Sequence, residues 1–588
     1  MVNQYEAIEQ LTAEVLPTDH LLRIVNDFTY SLGWHPSDWL HLPQFTQIAN
    51  GHLLVEHGLE NTAVISFLRK PHRYARLSWE EKVGLLGISY NNLVDWHICV
   101  ESELATTVYN RKEMPYEVVN RFPLSRESVD SLRSEAFEQI AGKRPNPNFQ
   151  ALDDALISTI SFWKRTLASV LKGKVSNHSF SALFNAIMFI RAIEDQSKRT
   201  GPQPSNETLS DMWNTSSDGS TLRGLIHSAL GRLKSEIPAY LKDEDQLASF
   251  DGLDHSTVST LLRDFYKSRF SPYTYDFSLM SKHALSRIYE HYVSILREEN
   301  SAQLALFPTL PKEEKDRAFG SIYTPQFIAR FFARYLQSEL PPPVFRKLRV
   351  ADPACGSGIF LRTLLELQCD TSNNGITTEY VQSTFKNILG IDVDPNACQA
   401  TRLSLALLHL VLTDQLPPNL EILEDETVGF YSSNSAALAE KFDAVIANPP
   451  FVSSDRQAPE MKKRIKAFLG LLAGGKQDTA YAFLKIGVEM TRPGGYGLFV
   501  LPHSFLIADS ARKMREFIAK KTLNAFAPGA DSLPESIVTI AVRCSGVARS
   551  STKACSSPSP IWTGPGHRYS VTKFRPSMEI DPNCPRSM

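Results

Sequence analysis

Two different rhythms of apolar and polar residues divide the chain. From residue 320 onward, short apolar runs alternate with helical patterns. Leu348–Ala351, Ile388–Val393, Asp443–Ala447 and Tyr496–Leu501 read as strands buried on both faces. Between them 357–368, 396–412 and 479–491 read as helices. This alternation predicts a parallel sheet covered by helices on both faces. Ligands of such folds sit at the carboxyl ends of the strands.

Upstream the pattern is mixed, then helical. Ala63–Phe67 and Trp96–Val100 read as short strands. Pro145 and Pro147 interrupt any regular element and mark a boundary. Ser181–Gln196 is an apolar helix ending in Arg191, Glu194 and Asp195, and Ile288–Glu299 is amphipathic. After 545 Ser, Pro and small residues take over and periodicity is lost, as in a poorly ordered tail. The expected organisation is a mixed α/β region over 1–145, a helical domain over 146–310, a doubly wound α/β domain over 311–545 and a tail over 546–588.

The chain has 588 residues, 43% of them hydrophobic and 21% charged, which is a globular composition. Its 62 Lys and Arg nearly balance 64 Asp and Glu, so any nucleic-acid surface must be a local patch. Seven cysteines without a CxxC pair argue against a disulfide framework or a zinc cluster, and no metal is expected. The longest apolar run, Leu403–Leu412, contains Ser404 and His409 and is too short to span a bilayer. With no signal peptide visible in MVNQYEAIEQL, the cytoplasm and no membrane partner are the expectation.

Val350–Phe360 reads VADPACGSGIF. A strand ends at Asp352, and Gly356 and Gly358 permit backbone angles that a side chain would forbid. The loop is neither a P-loop nor a full GxGxxG fingerprint. In the next strand, Asp392 is placed to accept hydrogen bonds from two ribose hydroxyls, whereas Asp394 suits a helix cap. The two elements together describe an adenosine-containing cofactor held without a phosphate clamp.

Asp443–Phe451 reads DAVIANPPF. Pro449 and Pro450 stiffen the turn and remove two donors, so the Asn448 side-chain oxygen and the Pro449 carbonyl remain as acceptors for the two hydrogens of one exocyclic amine. Phe451 offers a flat face for a base.

DPACGSG followed by NPPF resembles the N6-adenine-specific DNA methyltransferases of restriction-modification type, in the gamma motif order. Phe319–Pro325 (FGSIYTP) is similar to their preceding cofactor motif, and Asp478–Gly495 to their later ones. The resemblance implies a Rossmann-like S-adenosylmethionine-dependent methyltransferase domain, preceded by the helical domain and the mixed N-terminal region. It implies that Tyr323, Thr324 and Pro325 line the methionine end of S-adenosylmethionine, and that Asp352, Ala354 and Gly356 hold the cofactor through the loop. Asp392 would bind its ribose, and Asp425 or Glu426 would approach its adenine. The reaction implied is methyl transfer to the N6 amine of a flipped adenine in DNA, within a restriction system or related defence system. Asn448, Pro449, Pro450 and Phe451 would be the catalytic residues.

The chain departs from that family after 525, where no recognition module is legible. Residues 501–588 carry twelve Lys and Arg against six Asp and Glu, which suits phosphate contact or a solvated tail. Sequence reading would then fall to a separate specificity subunit, to a missing C-terminal recognition domain, or to the N-terminal half. In that half Ala63–Lys70 (AVISFLRK) and Tyr90–Arg111 resemble a nuclease-like domain, yet Ser66 and Leu68 stand where a metal-binding acid and lysine belong. Two other readings compete. One is a catalytically idle or partner-dependent DNA-binding or assembly subunit, and the other is methylation of a protein amide.

Overall fold

A computed structural model describes most of residues 4–280 and 326–544, together with Thr324 and the pair Thr572–Lys573. Within those spans 16–20, 41, 58–59, 113–117, 143–145, 174, 201–207, 217–218, 232–243, 370–375, 414, 416, 418, 476 and 528–536 are outside the described residues. Pro145, the expected helix Ile288–Glu299, Tyr323, Pro325 and nearly all of the tail therefore also lie outside them. The chain forms two compact units, Met1–Asn300 with Leu403–Leu416, and Ser301–Arg402 with Pro417–Met588.

The first unit carries a six-stranded sheet in sequential order: β1 (His35–Leu40), β2 (Ala49–His57), β3 (Glu60–Leu68), β4 (Trp96–Val100), β5 (Leu104–Tyr109) and β6 (Val118–Pro123). Neighbours are antiparallel except β3 and β4, which run parallel across the helix Trp79–Asn91. A crossover helix is what a parallel pair requires. That helix opens on a capping box in which Ser78 and Glu81 exchange bonds. Leu152–Val170, Asn177–Thr200 and His255–Asp264 form the helical part. Phe180, Phe184, Phe250 and Phe265 pack there in one aromatic cluster. The helix expected to end at Arg191, Glu194 and Asp195 runs on to Thr200. Arg191 is buried, pairs with both acids at 2.8 and 2.7 Å, and lies over the Tyr266 ring.

The second unit is built on an eight-stranded sheet. Its strands are β7 (Val350–Asp352), β8 (Ile388–Asp392), β9 (Ile422–Glu424), β10 (Phe442–Ala447), β11 (Thr491–Pro502), β12 (Thr522–Ala527), β13 (Ile537–Cys544) and β14 (Thr572–Lys573). Their spatial order is β14-β12-β13-β11-β10-β7-β8-β9. The five strands from β11 to β9 are parallel, β13 runs antiparallel to β11, and β12 runs antiparallel to β13. The sheet runs outward from β7 to β8 and β9, then restarts on the other side with β10. The boundary between β7 and β10 is thus a topological switch point, where the connecting loops diverge and leave a crevice at the strands' carboxyl ends. The four expected strands and three expected helices of this region all form, with ends displaced by a few residues. The β12–β13 hairpin was not expected.

Candidate functional site

The two loops singled out by their composition leave the two strands at the switch point. The glycine loop follows β7, and Asn448–Phe451 follows β10, which pairs with β7 at Val350–Ala444 and Ala351–Val445.

The glycine loop is tied down from three sides. Asp392, at the end of β8, accepts from the Gly356 N–H at 2.9 Å and from the Asp394 N–H at 2.9 Å. Thr401 donates to the Gly356 carbonyl at 2.8 Å, and Thr427 donates to the Pro353 carbonyl at 2.8 Å. Gly356 and Gly358 have φ of 56° and 82°, the left-handed region that glycine enters without steric cost. At Gly358 a Cβ would also stand 2.7 Å from the Thr401 methyl, so no other residue fits there. The helix Ile359–Gln368 starts immediately after it.

Asp352 is fully buried at the end of β7. Its Oδ1 accepts from the Ala354 N–H at 3.0 Å, and its Oδ2 is buried without a hydrogen-bond partner among the described residues. Burial pushes this carboxyl up to about 8, and the neighbouring Asp392 adds to the shift while the Ala354 bond opposes it. A buried carboxylate oxygen left unbonded is costly in a folded chain. It lies at the carboxyl end of β7, beside the switch point where a cationic ligand would bind. The residues present therefore fit S-adenosylmethionine: an acid awaiting a donor, a cradle kept open by two glycines, and a second acid at the next strand end. A carboxylate has roughly four acceptor sites, so the two backbone bonds of Asp392 are compatible with a ribose ligand.

The third strand separates the two acids that its sequence left open. Glu426 caps the helix Thr427–Leu438, accepting from the Val428 and Gly429 N–H groups at 3.1 and 2.8 Å, and pairs with Arg464 at 2.6 Å. Asp425 is exposed, and its own N–H donates to the Asp392 carbonyl at 3.0 Å. Glu426 serves the fold, and Asp425 stands beside Asp392.

On the other side of the switch point, Asn448 Nδ2 donates to the Thr324 hydroxyl at 2.8 Å. This joins a residue expected to serve the cofactor to one expected to serve the acceptor. Pro449 is buried and Phe451 half-buried, packed on the core under the helix Thr479–Met490. Thr479 was not singled out by its sequence, yet it fastens this turn. Its hydroxyl donates to the Pro450 carbonyl and accepts from the Val452 N–H at 3.0 Å, while its own N–H donates to the Val452 carbonyl at 3.1 Å. Gln457 Nε2 adds bonds to the Val452 and Gln477 carbonyls at 2.8 and 2.9 Å. The signal available was the helix start, where Asp478 caps by accepting from the Ala480 N–H at 2.9 Å.

In the first unit, the strand that resembles a nuclease carries a closed polar network. Ser66 on β3 sits between His52 on β2 and His97 on β4, 2.7 Å from a ring nitrogen of each. His97 reaches Ser89 at 3.2 Å with its other nitrogen, and burial pushes it down to about 3. Among the described residues no group of three or more His, Cys, Asp or Glu is placed to hold a metal ion. Nor is any helix among them long and apolar enough to cross a membrane.

The Eco57I restriction-modification methylase family model matches residues 386–526. The type II restriction enzyme and methyltransferase RM.Eco57I of Escherichia coli is 24% identical over 425 residues, covering 63% of this chain and 41% of that protein. The type II methyltransferase M.TthHB8I of Thermus thermophilus is 26% identical over 221 residues, covering 36% of this chain and 42% of that one. The chain thus spans about two fifths of the length of these curated relatives. Among solved structures, DrdV in complex with DNA aligns over 92% of this chain and 56% of its own with 12% identity and a TM-score of 0.44. The type IIL restriction-modification enzyme MmeI bound to DNA aligns over 68% and 58% with 17% identity and a TM-score of 0.44. The chain is similar to methyltransferases of restriction-modification systems.

Proposed function

We propose that the chain transfers a methyl group from S-adenosylmethionine to the N6 amine of an adenine flipped out of DNA, as part of a restriction-modification or related defence system. The observation that carries this reading is the Asn448–Thr324 bond at the switch point, which joins an acceptor array for an exocyclic amine to the cofactor crevice. The similarity to restriction-modification methylases over 386–526, which contains the Asn448 turn, supports it.

Asp352 and the Ala354–Gly358 turn would hold the cofactor's methionine portion with Thr324, the end that the resemblance also assigns to Tyr323 and Pro325. Asp392 would take the ribose and Asp425 the adenine edge. The bound cofactor supplies a methyl group already activated by its positive sulfur. The chain's own task is to make the acceptor nitrogen nucleophilic and to aim it. In free adenine that nitrogen's lone pair is delocalised into the ring. Accepting both amine hydrogens on the Asn448 side-chain oxygen and the Pro449 carbonyl draws the nitrogen toward a tetrahedral geometry. Thr324, by fixing the Asn448 amide nitrogen, fixes where the opposite oxygen points. Phe451 stacks on the extruded base and Pro450 keeps the turn rigid. With both reactants oriented, positioning supplies most of the rate.

Robust site selection is assigned to a separate specificity protein or a further recognition domain, because Asn448–Phe451 addresses one base and reads no neighbours. Incubation of the chain with labelled S-adenosylmethionine and either plasmid DNA or protein acceptors tests the reading. Label is expected in DNA, as N6-methyladenine after digestion. Label confined to protein would replace this reading with amide methylation.

A further inference from the structure

The segment between the Asn448 turn and Thr479 forms an arm that lies on the core of the second unit, with Ile465 and Leu469 buried in it and Met461, Phe468, Leu472 and Ala473 packed against it. Gln457 closes its base through the Val452 and Gln477 carbonyls. Its helix, Pro459–Leu469, buries Ile465 and Leu469 and turns Lys462, Lys463 and Lys466 outward. At positions i, i+1 and i+4 these three lie on one arc, away from the apolar stripe. Arg464, the fourth cation of this helix, is spent on Glu426, whereas none of the three lysines forms an ion pair among the described residues.

At the arm's tip Leu471 is 93% exposed. The tip is fastened to a second basic helix, Arg512–Lys521, because Lys513 Nζ donates to the Leu471 and Ala473 carbonyls at 3.2 and 3.5 Å. That helix follows the carboxyl end of β11, where Ile507 is 71% exposed. Single exposed apolar side chains are common, and Leu471 is set apart by its backbone tie to Lys513 and by its place just beyond the helix that carries the exposed Lys462, Lys463 and Lys466.

We propose that this arm is a DNA-docking element: Lys462, Lys463 and Lys466 lie along a phosphate backbone, and Leu471 enters the base stack where the duplex opens. The inference rests on the reading of the chain as a DNA methyltransferase. Charge selects the partner, since the outward lysines match a polyanion. Shape selects the mode, because apolar wedges inserted between base steps are the recurrent means of holding an opened duplex. The arm's helix begins eight residues after Phe451, so the segment that continues from the Asn448 turn also presents the wedge.

The test uses the full chain and short duplexes of mixed sequence, with binding followed by fluorescence anisotropy across salt concentrations. Calorimetric affinity for S-adenosylmethionine serves as the check of folding. Substituting Lys462→Ala, Lys463→Ala and Lys466→Ala together is expected to lower the slope of log K against log salt by about 2–3, at ~0.9 per phosphate contact, with cofactor affinity unchanged. A duplex with one abasic site is already partly opened, and the wild-type chain is expected to prefer it over the intact duplex by about tenfold. Leu471→Ser is expected to abolish that preference, and Leu471→Met to keep it. A triple variant with the wild-type salt slope overturns the proposal, including the case in which it loses affinity for a partner protein instead. A Leu471→Ser chain that retains the abasic preference overturns the wedge. If the wild-type chain binds no duplex even at low salt, the methyltransferase reading on DNA fails first and this proposal with it.

Discussion

Polar side chains stand at the centre of both sheets, and the two units treat them in opposite ways. In the first, Ser66 lies between His52 and His97, and its hydroxyl bonds both rings inside a sealed core. In the second, Asp352 is just as buried, yet Oδ2 lacks a partner among the described residues and the backbone beside it is kept open by glycine. A satisfied polar network stabilises a fold and does nothing more. An unsatisfied acid at a strand's carboxyl end stores a cost that a ligand can relieve. Burial and polarity alone do not separate the two cases, but the completeness of the hydrogen bonding does.

The sharpest way to break this contrast is at the open site. Asn448→Ala removes the proposed acceptor for the amine, outside the glycine loop. Methyl transfer to DNA is expected to fall by ~10²-fold or more, with calorimetric cofactor affinity nearly intact. Thr479→Val keeps the shape of the side chain and removes the hydroxyl between the Pro450 carbonyl and the Val452 N–H. The loss of two buried partners should cost about 1–3 kcal/mol, appearing in turnover more than in cofactor binding. Thr479→Ser should restore most of it. Equal activity of the Val and Ser variants would show that the turn is rigid without its clamp.

Asp392→Ala acts on the cofactor half. It removes the proposed ribose acceptor and also frees the Gly356 and Asp394 N–H groups. The expected loss of cofactor affinity is about 1.5–3 kcal/mol, the range for hydrogen bonds to a charged group. Wild-type affinity in this variant would take Asp392 out of the binding site and leave it a purely structural role in the loop.

The parallel strands and the two loops were legible because buried parallel strands are continuous apolar runs and their loops carry Gly and Pro at fixed places. Asn448 and Asp392 were legible for the same reason, since each ends such a run. Thr479 was not, because a threonine after a helix-capping Asp is common and its partner, Pro450, lies 29 residues away. Glu426 was indistinguishable from Asp425 in LEDETV until the helix start at Thr427 placed one as a cap and the other beside Asp392. The β12–β13 pair, TLNAFA against IVTIAVRC, lies beyond the last parallel strand, where the strand–helix alternation that marks the others gives way to antiparallel pairing. His52 and Ser66 came together through cross-strand register, which depends on a bulge between Ala49 and Gly51.

The pH dependence of Asp352 gives a graded effect, spread over several pH units. Its carboxyl is raised from 3.8 to about 8 in the folded chain. A group raised on folding contributes stability that is complete below its unfolded value and is lost as pH rises through the folded one. The ligand-free protein is therefore expected to lose stability between about pH 4 and pH 8, by up to ~1.4 kcal/mol per unit. Cofactor affinity should move the other way across the upper part of that window, because a cationic ligand competes with the proton on this carboxylate. Asp352→Asn should flatten both profiles, as followed by thermal unfolding and by calorimetry. A cofactor-affinity profile that is equally steep in the Asn variant would assign the titration to another group.

The smallest functional effect is predicted where the hydrogen bonding is closed. Ser66→Ala deletes the hydroxyl shared by His52 and His97 and leaves a ring nitrogen on each without that partner in a core that excludes water. Stability should fall by about 1–3 kcal/mol, the cost of stranding buried polar groups, and urea unfolding should register it in the first unit. Cofactor affinity and methyl transfer by the folded protein should stay at wild-type values, since no argument from geometry connects this chain of bonds to a ligand. His97 is held far below its ordinary value by burial, so it stays neutral across the working range and no pH-dependent activity should be traced to it. A Ser66→Ala protein that is stable but impaired in DNA binding or methyl transfer would mean that the sealed network has a functional role. The completeness of hydrogen bonding would then fail to distinguish a scaffold from a site in this molecule.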